Sequence, residues 1–384
     1  MDKKILLTHE IGSLAKPSWR VKPFRNLPID DNDIEEAKKW AKFLNIEEDI
    51  SELINLLSKR TNFSDNEKER IIYYSSLYAI KLLEKSGLDL VYDGEQHRVE
   101  MYEYPIKNVY GFEFKDHVVS FDYKYYRKAA VIDKPKLKNY YHLSEAKNIL
   151  SIASKDVKIP LTGPYTLVDW SFDEYYFKNV SIGENLVSLK ESRANFLSDM
   201  AYIIKENIKS LIDLGVRYIQ IDEPAATTKK NEIDLFVSTI KQTLKELKNQ
   251  NNLFFGIHIC FSDYSLLFPY LYDLEGIVDE FHFEYANRDS IELGKSNRKG
   301  FEILKYFKDS KFIVGLGVID VHTDFVESKE LIKERILYTL DIIQDPYRLY
   351  VAPDCGLRTR SWDIAYKKIV NMTESVNEIK IKYF

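Results

Sequence analysis

The chain has 384 residues, 45% of them hydrophobic and 30% charged, with a formal net charge of -5. That length suits one large domain or two medium ones with a sizeable core, and the lack of a basic footprint argues against a nucleic-acid partner. The short apolar run after Met1-Asp2-Lys3-Lys4 is expected to be neither a signal peptide nor a membrane span, and two cysteines in all fit a cytoplasmic, reducing location.

In chain order, short apolar and β-branched runs predict strands at Lys4–Thr8, Leu88–Asp93, Val157–Thr162, Arg217–Asp222, Leu253–Cys260, Val278–Glu284, Phe312–Val318 and Arg348–Ala352. Apolar residues at helical spacing mark Glu184–Leu214, Glu232–Lys248, Glu327–Ile343 and Thr359–Ile379. Strand–helix alternation of this kind predicts an α/β fold, a parallel (β/α)8 TIM barrel. With no Pro/Gly-rich linker, residues 1–384 are expected to form a single barrel domain. Two segments exceed a bare barrel. Asp30–Arg60 predicts one or two extra helices after the first strand, capped by Asn32 or Asp33. Residues 104–141, rich in Tyr, Phe and Lys, predict an insertion after the second strand, with Val118–Tyr126 and Ala129–Ile132 as a hairpin. Such an insertion could cover a barrel mouth.

Each predicted strand ends in a polar cluster. In order these are His9-Glu10-Ile11-Gly12-Ser13, Asp93-Gly94-Glu95-Gln96-His97-Arg98, Thr162-Gly163-Pro164, Asp222-Glu223-Pro224, His258 with Cys260, Glu284, Asp320 with His322, and Asp354 with Cys355. In a parallel barrel these ends share the face that carries the active site.

Strand alternation puts His258 and Cys260 on one face. Imidazole and thiolate are preferred zinc ligands, so His258, Cys260 and the distant Cys355 suggest a metal site, against the alternative of buried structural thiols. Glu284 is the natural fourth ligand; a salt bridge with Arg288 or Arg298 is its alternative, and His282 on the same face is a rival ligand or a partner behind the ligands. Of Asp222 and Glu223, which alternate faces, Asp222 is the better candidate for a substrate ammonium. A site with two thiolates is a poor Lewis acid for hydrolysis but suits the activation of another thiol. Glu95 and Asp222 could hold an ammonium and the Gly12-Ser13 turn a carboxylate, which together describe a small amino-acid thiol.

These clusters resemble the catalytic half of the cobalamin-independent methionine synthase family. The resemblance runs from Ile11-Gly12-Ser13 to Arg360. It is strongest in Leu161-Thr162-Gly163-Pro164, Ile219-Gln220-Ile221-Asp222-Glu223-Pro224-Ala225, His258-Ile259-Cys260, Gly315-Leu316-Gly317-Val318-Ile319-Asp320-Val321-His322 and Pro353-Asp354-Cys355-Gly356-Leu357-Arg358-Thr359-Arg360. The resemblance implies a methyltransferase with Zn2+ held by His258, Cys260, Glu284 and Cys355. It implies L-homocysteine held by Ile11, Gly12, Ser13, Glu95 and Asp222, and His322 as proton donor; Asp320, two residues before it, could orient the imidazole. Trp170 matches a position that contacts the pterin of a methyl-folate donor, and Arg127 is aligned with another donor-side position.

Two departures concern the donor. The large folate-dependent members carry a second, N-terminal barrel with no counterpart in these residues, and the family's acidic pterin contact falls at Thr228. The donor is therefore expected to be either of methyl-tetrahydrofolate type or methylcobalamin on a corrinoid protein. Two other readings stay open at this point: a zinc methyltransferase for another thiol such as coenzyme M, and a non-catalytic zinc-stabilised barrel.

Overall fold

In the computed structural model, which describes residues 4–119, 125–177, 186–249 and 252–384, eight parallel strands close into a ring. In chain order the strands are β1 (Leu7–Thr8), β2 (Leu90–Val91), β3 (Val109–Val119), β4 (Tyr125–Leu137), β5 (Asp156–Thr162), β6 (Phe172–Asp173), β7 (Tyr218–Asp222), β8 (Phe254–Ile259), β9 (Glu280–Phe283), β10 (Ile313–Ile319) and β11 (Leu349–Pro353). The main sheet runs β1-β11-β10-β9-β8-β7-β5-β2, and a parallel bridge between His9 and Leu90 joins its two ends. All eight strands expected from the sequence form this TIM-type barrel; β1, β2, β7, β8 and β9 are shorter than expected, β5 starts one residue earlier, and β10 and β11 are shifted by one residue.

Period-two alternation divides each barrel strand between two environments. Ile219, Ile221, Ile257, Ile259, Phe281, Phe283, Val314, Leu316 and Val318 belong to the main core shared with the helices; burying each such side chain contributes about 1.5–3 kcal/mol. The inward set is layered, as barrel interiors are. Leu7, Leu90, Tyr218, Phe254, Ile313 and Tyr350 form a separate apolar cluster at the N-terminal end. Above it lies a polar layer of His9, Lys158, Gln220 and Glu280, all buried. Gly256 and Gly315 make room for it: a Cβ at Gly256 would lie 3.1 Å from Glu280 Oε2, and one at Gly315 would lie 2.7 Å from His282 Cα.

The expected helices appear as Leu186–Leu214, Ile233–Lys248, Lys329–Ile343 and Trp362–Tyr383; Glu184 lies outside the described residues. Asp65–Lys85 and Leu143–Ile152 complete the set around the barrel. Strict alternation fails at two crossovers. After β8 and β9 the chain forms 3-10 turns, including Tyr264–Leu267, Tyr270–Leu274 and Lys299–Tyr306. Pro269, which has no N–H, precedes one of them, and the stretch from Asp289 to Gly300 is rich in Ser, Asn and Gly.

The extra helices after β1 are Asp31–Leu44 and Ser51–Ser58, but the cap is Asp30, two or three residues earlier than expected. Its side chain accepts from the Asp33 N–H while Asp33 accepts from the Asp30 N–H, a reciprocal capping box. In the insertion, β3 and β4 pair antiparallel from Val109 with Leu137 to Val119 with Tyr125, and β6 adds parallel to β4. Residues 120–124 of the expected hairpin lie outside the described residues. The expected pairing of Val118–Tyr126 with Ala129–Ile132 is corrected: Tyr125, Tyr126 and Ala129–Ile132 all lie on β4, whose partner is β3 from Val109, a strand whose register shifts at Tyr110/Phe112 and Phe114/His117 interrupt the alternation that would mark it in sequence.

Candidate metal centre and adjoining pocket

The thiol–imidazole group is drawn from the ends of two strands, β8 and β11. His258 is paired in register with Asp222 on β7 and His282 on β9; Cys260 follows directly after β8, and Cys355 follows β11. One ligand atom from each of His258, Cys260 and Cys355 lies within 4.8 Å of the others. His258 and Cys260 are buried and Cys355 partly so. The Cys260 thiol beside Cys355 pulls the latter well below the ordinary thiol range, and against the cost of burial His258 pulls in the same direction. Cys260 is pushed up by Cys355 and by burial.

His258 Nδ1 meets His282 Nδ1 at 2.9 Å, whereas its Nε2 is buried without a hydrogen-bond partner. A buried polar atom of that kind calls for a ligand. Two sulfurs and one free imidazole nitrogen at this separation are a donor set suited to zinc.

Glu284 lies outside this three-residue group. Its Oε2 accepts from the Phe261 N–H at 2.8 Å, and its Oε1 is 3.4 Å from His322 Nε2. Burial opposes ionisation of Glu284, but the bonds from His322 and Phe261 outweigh it and hold the carboxyl below its usual range. Arg288 is 3.7 Å away, while Arg298 pairs with Asp289 and Glu334. Phe261 takes a left-handed φ of 51°, costly for a bulky residue, and from there it presents its N–H to Glu284.

A pocket of about 130 Å³ opens beside the cluster and is lined by Ile11, Gly12, Ser13, Glu95, Asp222, His258, Cys260, His322 and Cys355. Every residue expected to hold the amino acid is thus on one wall or another. Close backbone approach explains two glycines. Gly356 packs on Ser13, whose N would be 2.9 Å from any Cβ there, and Gly94, at φ 69°, packs on Leu14. The loop carrying Glu95 is fixed by Arg20, which donates to the Gln96 carbonyl at 2.8 and 3.1 Å. Burial pushes the Asp222 carboxyl up to about 6, against the pull of His258. Glu223 faces away and accepts from the Tyr165 and Thr166 N–H groups at 3.0 and 2.7 Å.

Asp320 meets His322 through the backbone: its Oδ1 accepts the His322 N–H at 2.8 Å. The carboxylate facing the ring is that of Glu284, which raises the affinity of His322 for a proton. Trp170 and Arg127 do not line the pocket. Trp170 packs at 5.6 Å from the Tyr126 ring and 6.4 Å from Tyr102, and Arg127 lies over Phe114. Met101, the residue before Tyr102, lines the pocket, and its carbonyl accepts from Thr162 Oγ1 at 2.6 Å. Thr228 donates to Asp169, so a carboxylate stands beside it.

Not anticipated from sequence are Met101, Pro224, Phe261, Val321, Gly356, Arg358 and Thr359 as further lining, and Asp354 as the brace of the β9 loop. Asp354 accepts from the Tyr285, Ala286 and Asn287 N–H groups at 2.9, 3.0 and 2.6 Å, in space that Gly317 leaves open. The Gly315-x-Gly317 motif was a usable signal for this crowding; the reach of Phe261 was not.

A closed parallel barrel with a soft-donor cluster and a carboxylate-lined pocket at one face has the architecture of a barrel enzyme. Residues 48–378 match the family described as "Cobalamin-independent synthase, Catalytic domain", and the chain belongs to that family of methyltransferases. Curated relatives include the methionine synthase of Thermoplasma acidophilum, 36% identical over 97% of this chain and 98% of its own length, and that of Pyrococcus furiosus, 31% identical over 99% and 94%. Among solved structures, a B12-independent methionine synthase from Shewanella sp. W3-18-1 in complex with selenomethionine shares the fold with a TM-score of 0.73, at 19% identity over 99% of both chains. Among the described residues no helix is long and apolar enough to cross a membrane.

Proposed function

We propose that this enzyme transfers a methyl group to the thiol of L-homocysteine, forming methionine, with one zinc ion as cofactor. The donor is a methyl-tetrahydrofolate or a methylcobalamin carried by a corrinoid protein. The observation that carries this reading is the meeting of a His-Cys-Cys donor set and an acid-lined pocket in one place. The names of the full-length relatives support it.

His258, Cys260 and Cys355 would hold the zinc, with Glu284 as the fourth ligand that the family resemblance implies. When bound, zinc lowers the pKa of a substrate thiol and leaves it nucleophilic at neutral pH. The chain's own residues do the rest. Glu95 and Asp222 take the ammonium of the amino acid, whose charge offsets the burial of Asp222. Backbone N–H groups of the Ile11–Ser13 turn take its carboxylate. His322 supplies the proton needed by a nitrogen leaving group. The bond formed is S–CH3, and the bond broken is that between the methyl group and N5 of the folate or cobalt.

Single-turnover assays of the zinc-loaded protein test this. L-homocysteine with at least one of the two donors should yield methionine, and coenzyme M should not be methylated. Methylation of coenzyme M with homocysteine inert would overturn the acceptor assignment.

Asp222→Asn and Glu95→Gln should each weaken L-homocysteine binding about tenfold or more while keeping zinc, since a charge-assisted hydrogen bond contributes roughly 1.5–3 kcal/mol. Calorimetry and metal analysis read both quantities. Unchanged affinity in both variants would place the ammonium elsewhere.

A further inference from the structure

Between the apolar plug and the thiol–imidazole cluster, a lysine and a glutamine connect three strands. Lys158 on β5 is only 4% exposed. Its Nζ donates to Gln220 Oε1 at 2.7 Å and to the carbonyls of Glu10 and Ile11, and it lies 3.0 Å from His9 Nδ1. An ammonium has donors and no acceptor, so it fixes the amide of Gln220 with the oxygen toward Lys158. The NH2 group then points the other way, and both of its protons are used: Nε2 is 2.8 Å from the Ile11 carbonyl and 2.6 Å from Asp222 Oδ1. A flipped amide would set NH2 against the ammonium and an oxygen against two acceptors.

Those two acceptors belong to the two halves of the amino-acid pocket. Ile11 opens the turn that lines one wall, and Asp222 lies on another. We propose that Gln220, locked by Lys158, is a positioning residue that makes the pocket selective for an α-amino thiol acid. It engages Asp222 Oδ1, so that the carboxylate keeps one orientation, and it fixes the spacing between that carboxylate and the Ile11–Ser13 turn. Its hydrogen bonds run to Lys158, Ile11 and Asp222 and not to His258, Cys260 or Cys355. Recognition of the ammonium is thereby separated from binding of the thiol. The inference rests on the reading of L-homocysteine as acceptor.

Two variants test it. Gln220→Met keeps the volume and loses both donors; Gln220→Leu also loses both donors, with a shorter side chain. Each zinc-loaded protein is titrated calorimetrically with L-homocysteine and with 4-sulfanylbutanoate, the same thiol acid without its amino group, and zinc content is measured. Affinity for L-homocysteine should fall roughly tenfold or more, while that for 4-sulfanylbutanoate changes less than about twofold, with zinc retained. A merely structural role lowers both affinities together, and equal losses, or none, overturn the proposal. If Gln220→Met does not fold, Gln220→Leu carries the same comparison. Wild-type protein that fails to bind L-homocysteine overturns the proposed function and this role with it; normal wild-type binding with no discrimination in the variants overturns this role alone.

Discussion

Cys355→Ser is expected to strip the zinc and lower methyl transfer by roughly a thousandfold or more, while the barrel stays folded. The rate follows from the several kcal/mol that a metal ion contributes to charge stabilisation, at 1.36 kcal/mol per decade. Cys355 stands with His258 and Cys260 in the donor group, and the thiolate is the ligating form of cysteine. A serine hydroxyl in its place does not ionise at neutral pH. The fold should tolerate the change because Cys355 is only partly buried and follows β11. The loops around it are held by Asp354, through three backbone N–H groups. Metal analysis, far-UV circular dichroism and a single-turnover rate check the three parts. Full zinc retention would remove Cys355 from the donor set.

What the sequence made legible here is what strand periodicity controls. His258 and Cys260 share a face because side chains alternate, and His258 falls in register with Asp222 and His282. The eight polar strand ends converge because parallel strands in a barrel all finish on one side. Side chains that reach across loops were not legible. Glu284 follows directly after β9, yet its oxygens face Phe261 and His322, partners set by a left-handed turn after Cys260 that no pattern announces. Asp320 likewise bonds the backbone of His322 and not its ring. Lys158 and Gln220 were hidden for a different reason. A polar residue inside a run such as Val157–Thr162 gives no sign in the sequence of whether it faces solvent or a buried layer. The 3-10 crossovers after β8 and β9 were missed because a parallel connection needs a chain that returns on the outside, and short turns packed by Leu267, Leu271, Phe301 and Leu304 do that as well as a helix.

His322→Asn is expected to separate the two donors. The residue follows β10, and its ring stands 3.4 Å from Glu284 Oε1 and edge-on to Phe261 at 5.0 Å. The Glu284 hydrogen bond raises its affinity for a proton, the direction that suits a general acid. A methyl group leaving N5 of a folate leaves behind a poor nitrogen leaving group that must be protonated. One leaving methylcobalamin leaves cobalt(I), which needs no proton. General acid catalysis contributes about 10²–10⁴-fold, and the loss with a folate donor should fall in that range, against less than about fivefold with the corrinoid. Asparagine keeps a polar group of similar reach but cannot deliver a proton. Single-turnover rates for wild type and variant with each donor settle the comparison, with L-homocysteine affinity measured alongside to confirm that the amino-acid pocket is intact. Equal small losses with both donors would reduce His322 to a side chain that holds the β10 loop, and the proton would then have to come from solvent or from another group at the barrel mouth.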